Sequence, residues 1–251
     1  MDFNNYYLLM STVAIVFFSI AIQSMIGFGN ALIATPLLLS TGLPLADIVV
    51  LTTTTSAAQR IIFGYQMKQY ALIKLYLPVM LTILAGIPIG IYILGMVTGE
   101  SQEVVKQAIG ILIVATVIIQ LTVKIKPREQ IASLWGYLTG FSSGILSGFA
   151  NIGGPPLVIW VYSHNWTKEQ LRAAPLLLSI PMIPLQLALL YFNFDISLKV
   201  LLFGLLLTPA VLFANQLGQK IVKQFNMQTL RVIVIVSLGI IGIYYVVQPY
   251  L

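Results

Sequence analysis

The sequence carries one helix-breaking motif twice, each time inside a long apolar stretch. Gly-Phe-Gly-Asn occupies residues 27–30, Gly-Phe-Ala-Asn occupies residues 148–151, and a proline follows each motif within six residues. Glycine and proline destabilise a helix interior, and a backbone that opens in hydrocarbon leaves polar groups unpaired. Such a break is tolerated only where it is buried in protein or lines a cavity. Paired breaks in the two halves of a chain therefore indicate a binding site inside a membrane-spanning bundle.

Eight apolar stretches nearly fill the chain. Charged residues make up 8% of the 251 residues and hydrophobic residues 59%, whereas a soluble domain has roughly 25% charged residues. A helix needs about 20 residues to cross the hydrocarbon core of a bilayer. We therefore predict an all-α, multi-pass protein of the cell membrane, surrounded by lipid and without a soluble domain. The stretches are residues 6–41, 46–66, 71–96, 104–123, 131–163, 174–193, 197–217 and 228–248.

The residue types that the chain lacks exclude several classes of function. It has no cysteine and one histidine, His164, so it has neither disulfides nor the ligands of a Cys/His metal site. The 13 basic residues are scattered between apolar stretches and form no stripe that would bind a nucleic-acid backbone. The chain contains no phosphate-binding Gly-Lys-Ser/Thr loop and cannot itself use ATP. We predict no cofactor, no metal, no nucleic-acid partner and no enzymatic activity.

The first and fifth apolar stretches are too long for one straight crossing, because each corresponds to about 45 Å or more of helix at about 1.5 Å per residue. If both cross once, the basic loops fall on both sides of the membrane, against the preference of Lys and Arg for the cytoplasm. If both fold back at the repeated motif, all but two of the 13 basic residues share one side. That side holds Arg60, Lys68, Lys74, Lys124, Lys126, Arg128, Lys168, Arg172, Lys220, Lys223 and Arg231, and the other holds Asp2, Asp47, Glu100, Glu103 and Asp195 with Lys106 and Lys199.

Folding back at both motifs predicts two inverted repeats, each a folded-back helix pair followed by three transmembrane helices. The repeats are residues 1–123 and 131–251, and residues 124–130 form a cytoplasmic linker. A two-fold axis in the membrane plane then brings the two breaks together near the midplane, as in transporters with alternating access. The alternative is a pair of parallel repeats with four crossings each. No Lys or Arg precedes the first stretch, so we expect it to be a retained membrane segment rather than a signal peptide.

The breaks are suited to binding an anion. Where a helix resumes after a break, its first N–H groups lack intrahelical partners and its dipole favours negative charge. Glycines allow a ligand to approach the backbone, and prolines are tolerated in the first helical turn. Nearby hydroxyls and amides are further donors, although serine and glycine also serve close helix packing, and both interpretations stand for the serines. The candidates at the breaks are Gln23, Ser24, Gly27, Gly29, Asn30, Ser147, Asn151, Gly153, Gly154 and Pro155.

Five consecutive hydroxyl residues, beginning at Thr52 and ending at Ser56, form a further polar segment. Three of them are expected to return their hydrogen bond to their own helix. Thr52, Ser56 and Gln59 share one helix face by their spacing and complete the candidate site together with Arg60. The Arg60 side chain either extends to the cytoplasmic interface or holds the anion. We interpret Arg172 as an interfacial charge.

The repeated motifs resemble those of the TauE/SafE family, also called sulfite exporters. The resemblance rests on residues 27–30 with Pro36 and on residues 148–151 with the Gly-Gly-Pro-Pro element at 153–156, and it extends over essentially the whole chain. It implies a membrane transporter of sulfite, of organosulfonates such as sulfoacetate, or of related small anions. Many relatives carry a run of glycines at both breaks where this chain has asparagines, which leaves the substrate open.

The residues and the resemblance together predict a secondary transporter that exports a small sulfur-containing anion by alternating access. Asp47, Glu100 and Asp195 fall near predicted membrane ends, so an anion fits better than a metal cation. An anion channel with the same inverted repeats is the first alternative. An intramembrane serine hydrolase that uses Ser147 with His164 is the second. The coupling ion and a possible homo-oligomer are left open.

Overall fold

The protein is all-helical in its computed structural model, which describes residues 5–26, 29–123, 127–129, 131–221 and 227–250. Short 3-10 turns follow the third helix at Lys68–Tyr70 and the last at Gln248–Tyr250. The α-helices of the described residues are α1 Tyr6–Ile26, α2 Asn30–Ser40, α3 Leu45–Gln66, α4 Ile73–Thr98, α5 Gln102–Thr122, α6 Ser133–Ala150, α7 Gly154–Tyr162, α8 Lys168–Ser179, α9 Met182–Asn193, α10 Leu198–Leu206, α11 Thr208–Ile221 and α12 Met227–Val247.

Within the described residues, four segments are long and apolar enough to cross a membrane: Tyr6–Met25 of α1, α4, α5, and Lys168–Asn193, which joins α8 and α9. The pair of α10 and α11, bent by 42°, makes a fifth if it counts as one crossing. Helices α3 and α6 have the length, at 22 and 18 residues, but their threonines, serines and glycines make them less apolar. The predicted all-helical, multi-pass membrane protein is confirmed, and the count of eight segments stays a prediction.

The chain reverses direction at the first break. The Ser19 hydroxyl of α1 donates a hydrogen bond to the Oδ1 atom of Asn30, the first residue of α2, at 2.6 Å although eleven residues separate them. In one continuous helix these residues would lie about 16 Å apart along the axis. Helix α2 therefore runs back alongside α1 and not onward from it.

The second break reverses the chain in a similar way. The Ser143 hydroxyl of α6 donates to the Gly153 carbonyl oxygen at 2.6 Å across ten residues. Helix α6 ends at Asn151, whose φ of 56° is the positive value of a left-handed cap, a conformation that asparagine tolerates better than most residues. The Asn151 and Ile152 N–H groups donate to the Ser147 and Leu146 carbonyl oxygens at 2.8 and 3.1 Å. Helix α7 then returns along α6.

One end of the bundle collects basic residues. The Arg128 backbone N–H donates to the Ser163 carbonyl oxygen at 2.8 Å, so the start of α6 and the end of α7 lie at the same end. The Trp166 ring, just before α8, lies 6.0 Å from the Tyr76 ring near the start of α4. We call this the basic end, because its described charges are Lys68, Lys74, Arg128, Lys168, Arg172 and Lys220 with few acidic residues.

The opposite end joins the starts of α3, α5 and α10. The Gln102 side chain at the start of α5 donates to the Gly42 carbonyl oxygen before α3 at 3.3 Å. The Gln107 side chain donates to the Tyr250 hydroxyl after α12 at 3.2 Å. We call it the acidic end. The charges near it are Asp47, Glu100, Glu103, Lys106, Asp195 and Lys199.

Helices α4 and α6 pack with their backbones in direct contact through glycines. A Cβ atom on Gly144 of α6 would overlap the carbonyl oxygen of Ile83, and a Cβ on Gly90 of α4 would overlap that of Ile145. Glycines four residues apart allow such close approach of membrane helices. The glycines at this contact are Gly86 and Gly90 of α4 and Gly140, Gly144 and Gly148 of α6.

Two further helix pairs have comparable glycine contacts. A Cβ on Gly218 of α11 would overlap the carbonyl oxygen of Ala21 in α1, and a Cβ on Gly110 of α5 would lie 2.8 Å from the carbonyl oxygen of Gly242 in α12. In all three pairs, one helix precedes residue 124 and the other follows residue 130. The two halves of the chain are thus packed into each other.

We expect Gly144→Ala to lower the melting temperature of the detergent-purified protein. The new methyl group collides with backbone, which cannot rotate away, and overpacking of this kind typically costs about 1–3 kcal/mol. The control is Gly95→Ala in α4, where the added Cβ meets only the Phe194 ring at 3.9 Å, and alanine should be neutral or stabilising in that helix. Equal melting temperatures for the two variants would contradict the close α4–α6 contact.

Candidate functional site

A cavity of about 700 Å³, including its open mouth, lies between the two breaks. Its walls are the end of α1, the start of α2, the middle of α3, the α6–α7 break and the α8–α9 segment. Ten sequence-predicted residues line it: Gln23, Gly29, Asn30, Ser56, Arg60, Ser147, Asn151, Gly153, Gly154 and Pro155.

Asn30 joins three helices with both ends of its amide. Its Oδ1 accepts from the Ser19 hydroxyl of α1 at 2.6 Å, and its Nδ2 donates to the Ser56 hydroxyl oxygen of α3 at 2.9 Å. The residue is 4% exposed. Because both amide atoms are engaged, Asn30 fixes the position of the start of α2.

Asn151 bridges the second break to α3. Its Nδ2 donates to the Thr52 hydroxyl oxygen at 3.2 Å, and that hydroxyl donates to the Ile48 carbonyl oxygen at 2.8 Å. Its buried Oδ1 has no hydrogen-bond partner among the described residues. Thr52 lies on no cavity wall that the structure defines, so its contribution to the site is to hold the Asn151 amide.

Two helix N-termini face the cavity. Residues 29–32 at the start of α2 and residues 152–155 at the start of α7 line it, and the first N–H groups of a helix lack intrahelical partners. Pro155 has no N–H, so the donors at α7 come from the glycines before it. Gly153 must be glycine, because a Cβ there would overlap the backbone carbonyl oxygen of Ser143. Both termini present positive dipole ends to one space.

Arg60 lies on the cavity wall one helical turn after Ser56. Its Nη1 is buried and has no hydrogen-bond partner among the described residues. A buried N–H donor without a hydrogen-bond partner is energetically costly, and an anion in the cavity would relieve that cost. The described residues contain no cluster of His, Asp or Glu able to hold a metal ion. The donors and the charge thus suit a small oxyanion.

A second cavity of about 980 Å³, including space open to solvent, continues from the first towards the basic end. The two share Gln23, Val158, Pro175 and Leu176 as lining residues. Two predicted site residues, Ser24 and Gln59, line this second cavity and not the first. Gly27 lies outside the described residues. The predicted set therefore divides between an inner cavity and an outer one.

Ser143, one of the small polar residues that precede the second break in the sequence, also lines the inner cavity. Other lining residues escaped sequence reasoning: Ser179 and Met182 in the inner cavity and Asn215 in the outer one. Ser179 follows Asn151 by 28 residues and Ser56 follows Asn30 by 26, a similar spacing that a comparison of the two halves would have revealed. Of the hydroxyl run, Thr52, Thr54 and Thr55 each donate to the carbonyl four residues earlier, at 2.8, 2.9 and 2.7 Å.

His164 does not accompany Ser147 at the inner cavity. Its Nδ1–H donates to the Trp160 carbonyl oxygen at 2.9 Å, and its ring stacks on Trp166 at 4.1 Å between centroids. Burial lowers the pKa of His164. These contacts favour a structural role in the loop at the basic end over that of a general base.

The fold and the cavity define a multi-pass helical membrane protein with a cleft between the two breaks that polar residues line. The model of the family described as Sulfite exporter TauE/SafE matches residues 12–245. The chain belongs to this family, which is one of membrane transport proteins and not of enzymes. No curated protein and no solved structure matches the chain.

Proposed function

We propose that the protein exports a small sulfur-containing anion, sulfite or an organosulfonate such as sulfoacetate, by alternating access, and that the anion binds between the two breaks. The observation that carries this proposal is the Arg60 guanidinium, whose buried Nη1 has no partner among the described residues, in a cavity with two helix N-termini. A tetrahedral or pyramidal oxyanion can accept from all three at once. The described residues lining this cavity include no carboxylate.

Helix packing supports the inverted repeats, residues 1–123 and 131–251. If α1 and α6 are equivalent, α4 is equivalent to the α10–α11 pair. The contact of α4 with α6 then corresponds to the contact of α11 with α1. In the same way α5 would be equivalent to α12, and these two helices pack against each other. The separation of basic and acidic ends supports a cytoplasmic location of the basic end in the plasma membrane.

The contacts beyond the site support a carrier over a channel. Towards the acidic end, the Thr35 hydroxyl of α2 donates to the Ala150 carbonyl oxygen at 3.4 Å, and the Tyr245 hydroxyl of α12 donates to the Pro36 carbonyl oxygen at 2.5 Å. These bonds connect α2 to α6 and to α12 on the side of the acidic end. The outer cavity extends in the other direction, towards the basic end. A site reached from one side in a given state is the requirement for alternating access.

The first test is the melting temperature of the purified protein with sulfite, sulfoacetate, taurine, thiosulfate, sulfate or acetate. A ligand that binds only the folded state stabilises it by about 2.7 kcal/mol at about 100 times its Kd. We expect sulfite or an organosulfonate to raise the melting temperature, acetate to leave it unchanged, and proteoliposomes to show saturable flux with counterflow of the same anion. Flux that does not saturate would favour the channel.

The inverted topology is tested with single cysteines, because the chain has none of its own. We expect Glu129→Cys and Lys220→Cys to react with a membrane-impermeant thiol reagent only after cells are opened. Glu100→Cys and Asp195→Cys should react in intact cells. Parallel repeats would instead place positions 129 and 220 on opposite sides of the membrane, and likewise positions 100 and 195.

A further inference from the structure

Most of the polar residues that line the outer cavity are uncharged amides. Its described lining residues include five carboxamide side chains and no carboxylate, and Arg172 is the charged residue among them. Amide groups donate hydrogen bonds to an anion without adding a charge that would hold it permanently. The carboxamide residues are Gln23, Gln59, Gln66, Asn215 and Gln219.

One buried amide pair in this wall offers an unused donor. The Gln59 Nε2 of α3 donates to the Asn215 Oδ1 of α11 at 2.7 Å, and Asn215 is 2% exposed. This leaves the Asn215 Nδ2 and the Gln59 Oε1 without partners among the described residues. Exchanging N and O in both amides would free the Gln59 NH₂ instead. In either arrangement the pair retains one NH₂ group for a ligand, and a buried donor left unpaired is costly.

Arg172 gives the outer cavity a positive charge at the basic end. It lies near the start of α8 and is exposed, like Lys168 one helical turn earlier, but only Arg172 lines the cavity. The sequence-based interpretation of Arg172 as an ordinary interfacial charge did not include this position. A unit positive charge in a cleft raises the local concentration of anions.

We propose that the outer cavity is a second anion-binding site, formed by Arg172 and the Gln59–Asn215 pair, where the sulfur-containing anion binds before it passes Gln23 and reaches Arg60. The proposal rests on the transport function proposed above. Binding at the outer site is weaker than at Arg60, because Arg172 is exposed to water and screened by salt.

The test uses Gln219→Cys as a reporter on the outer wall, one helical turn beyond Asn215, with Met67→Cys as a second reporter. Each is treated with an anionic reagent, 2-sulfonatoethyl methanethiosulfonate, and with the cationic trimethylammonium analogue. A unit charge about 4 Å away in water changes the rate of one singly charged reagent by about fivefold, in opposite directions for the anion and the cation. We therefore expect Arg172→Gln to lower the anion-to-cation rate ratio by about 5- to 25-fold. Lys168→Gln is the matched control and should change it less than about twofold. An Arg172→Gln effect no larger than that of the control overturns the proposal.

A second measurement separates this site from the inner one. Sulfoacetate, which does not react with the reagents, should slow modification of Gln219→Cys by the anionic reagent, and should still do so after Arg60→Gln. Loss of this protection in the Arg60→Gln background would mean a single site at Arg60 and overturn the outer site alone. The transport proposal fails separately, if the wild-type protein shows neither a melting shift nor flux with any sulfur-containing anion.

Discussion

Arg60→Gln is expected to lower the affinity for the transported anion by about 10- to 150-fold, since a hydrogen bond to a charged group contributes about 1.5–3 kcal/mol. Glutamine keeps a polar, though shorter, side chain and removes the positive charge from the cavity wall. Flux at low anion concentration should fall in proportion, and at the same anion concentration the melting shift should fall to about half of the wild-type shift or less. Both are measured on purified protein and on proteoliposomes containing equal amounts of it.

The melting temperature of the Arg60→Gln variant without ligand is the control for a structural role of Arg60. The buried and unpaired Nη1 of Arg60 destabilises the protein without ligand, so the variant without ligand should melt at the wild-type temperature or above it. Arg60→Lys keeps the charge but lacks the planar fork of donors, and should bind with intermediate affinity. Wild-type affinity in Arg60→Gln would show that the guanidinium does not contact the anion. A lower melting temperature of the empty variant would show that it has a structural partner.

Asn151→Leu is expected to abolish anion binding while the protein still inserts into the membrane. Leucine in the left-handed conformation of residue 151 costs about 1–2 kcal/mol, its side chain cannot bond to Thr52, and its bulk enters the inner cavity. Thermal shifts and flux with the anion should both be lost. Asn30→Leu should have the same effect, because it removes the bonds that hold the start of α2 against α1 and α3.

Asn151→Gly separates the backbone from the amide. Glycine adopts the left-handed conformation without strain but makes no bond to Thr52, so the break should keep its shape. Loss of one hydrogen bond costs about 0.5–1.5 kcal/mol, and we expect a reduction in affinity of about tenfold or less. If the Gly and Leu variants are equally inactive, the amide is a ligand group. If both transport normally, the break is not the binding site.

Much of the inner cavity could be predicted because the sequence marks it with residues that hydrocarbon does not tolerate. Gly29, Asn30, Asn151 and Gly153 would be unfavourable in an uninterrupted transmembrane helix that faces lipid. The two motifs therefore predicted that these residues line a cavity. The location of the Arg60 guanidinium was ambiguous, because the long side chain of an arginine near a helix end can extend either to water or into a cavity. Only the packing around α3 distinguishes the two.

The division into two cavities could not be predicted. Ser24 and Gln59 line the outer cavity because of how α1 packs against α11, where Gly218 allows the two backbones to come close. The relative position of two helices so far apart in sequence cannot be read from either segment alone. Asn215 was missed for the same reason. The bend between α10 and α11 was missed as well, although Thr208-Pro209 removes a backbone donor at that point.

The glycine contacts of α4 with α6 and of α1 with α11 determine which parts of the protein can move separately. Each contact joins backbones of the two halves so closely that sliding one helix past the other would force main-chain atoms together. A motion that rocks residues 1–123 as one block against residues 131–251 would have to break both contacts. If the protein works by the proposed alternating access, α4 therefore moves together with α6 and α1 together with α11, and the boundary between the moving bodies passes through each half of the sequence.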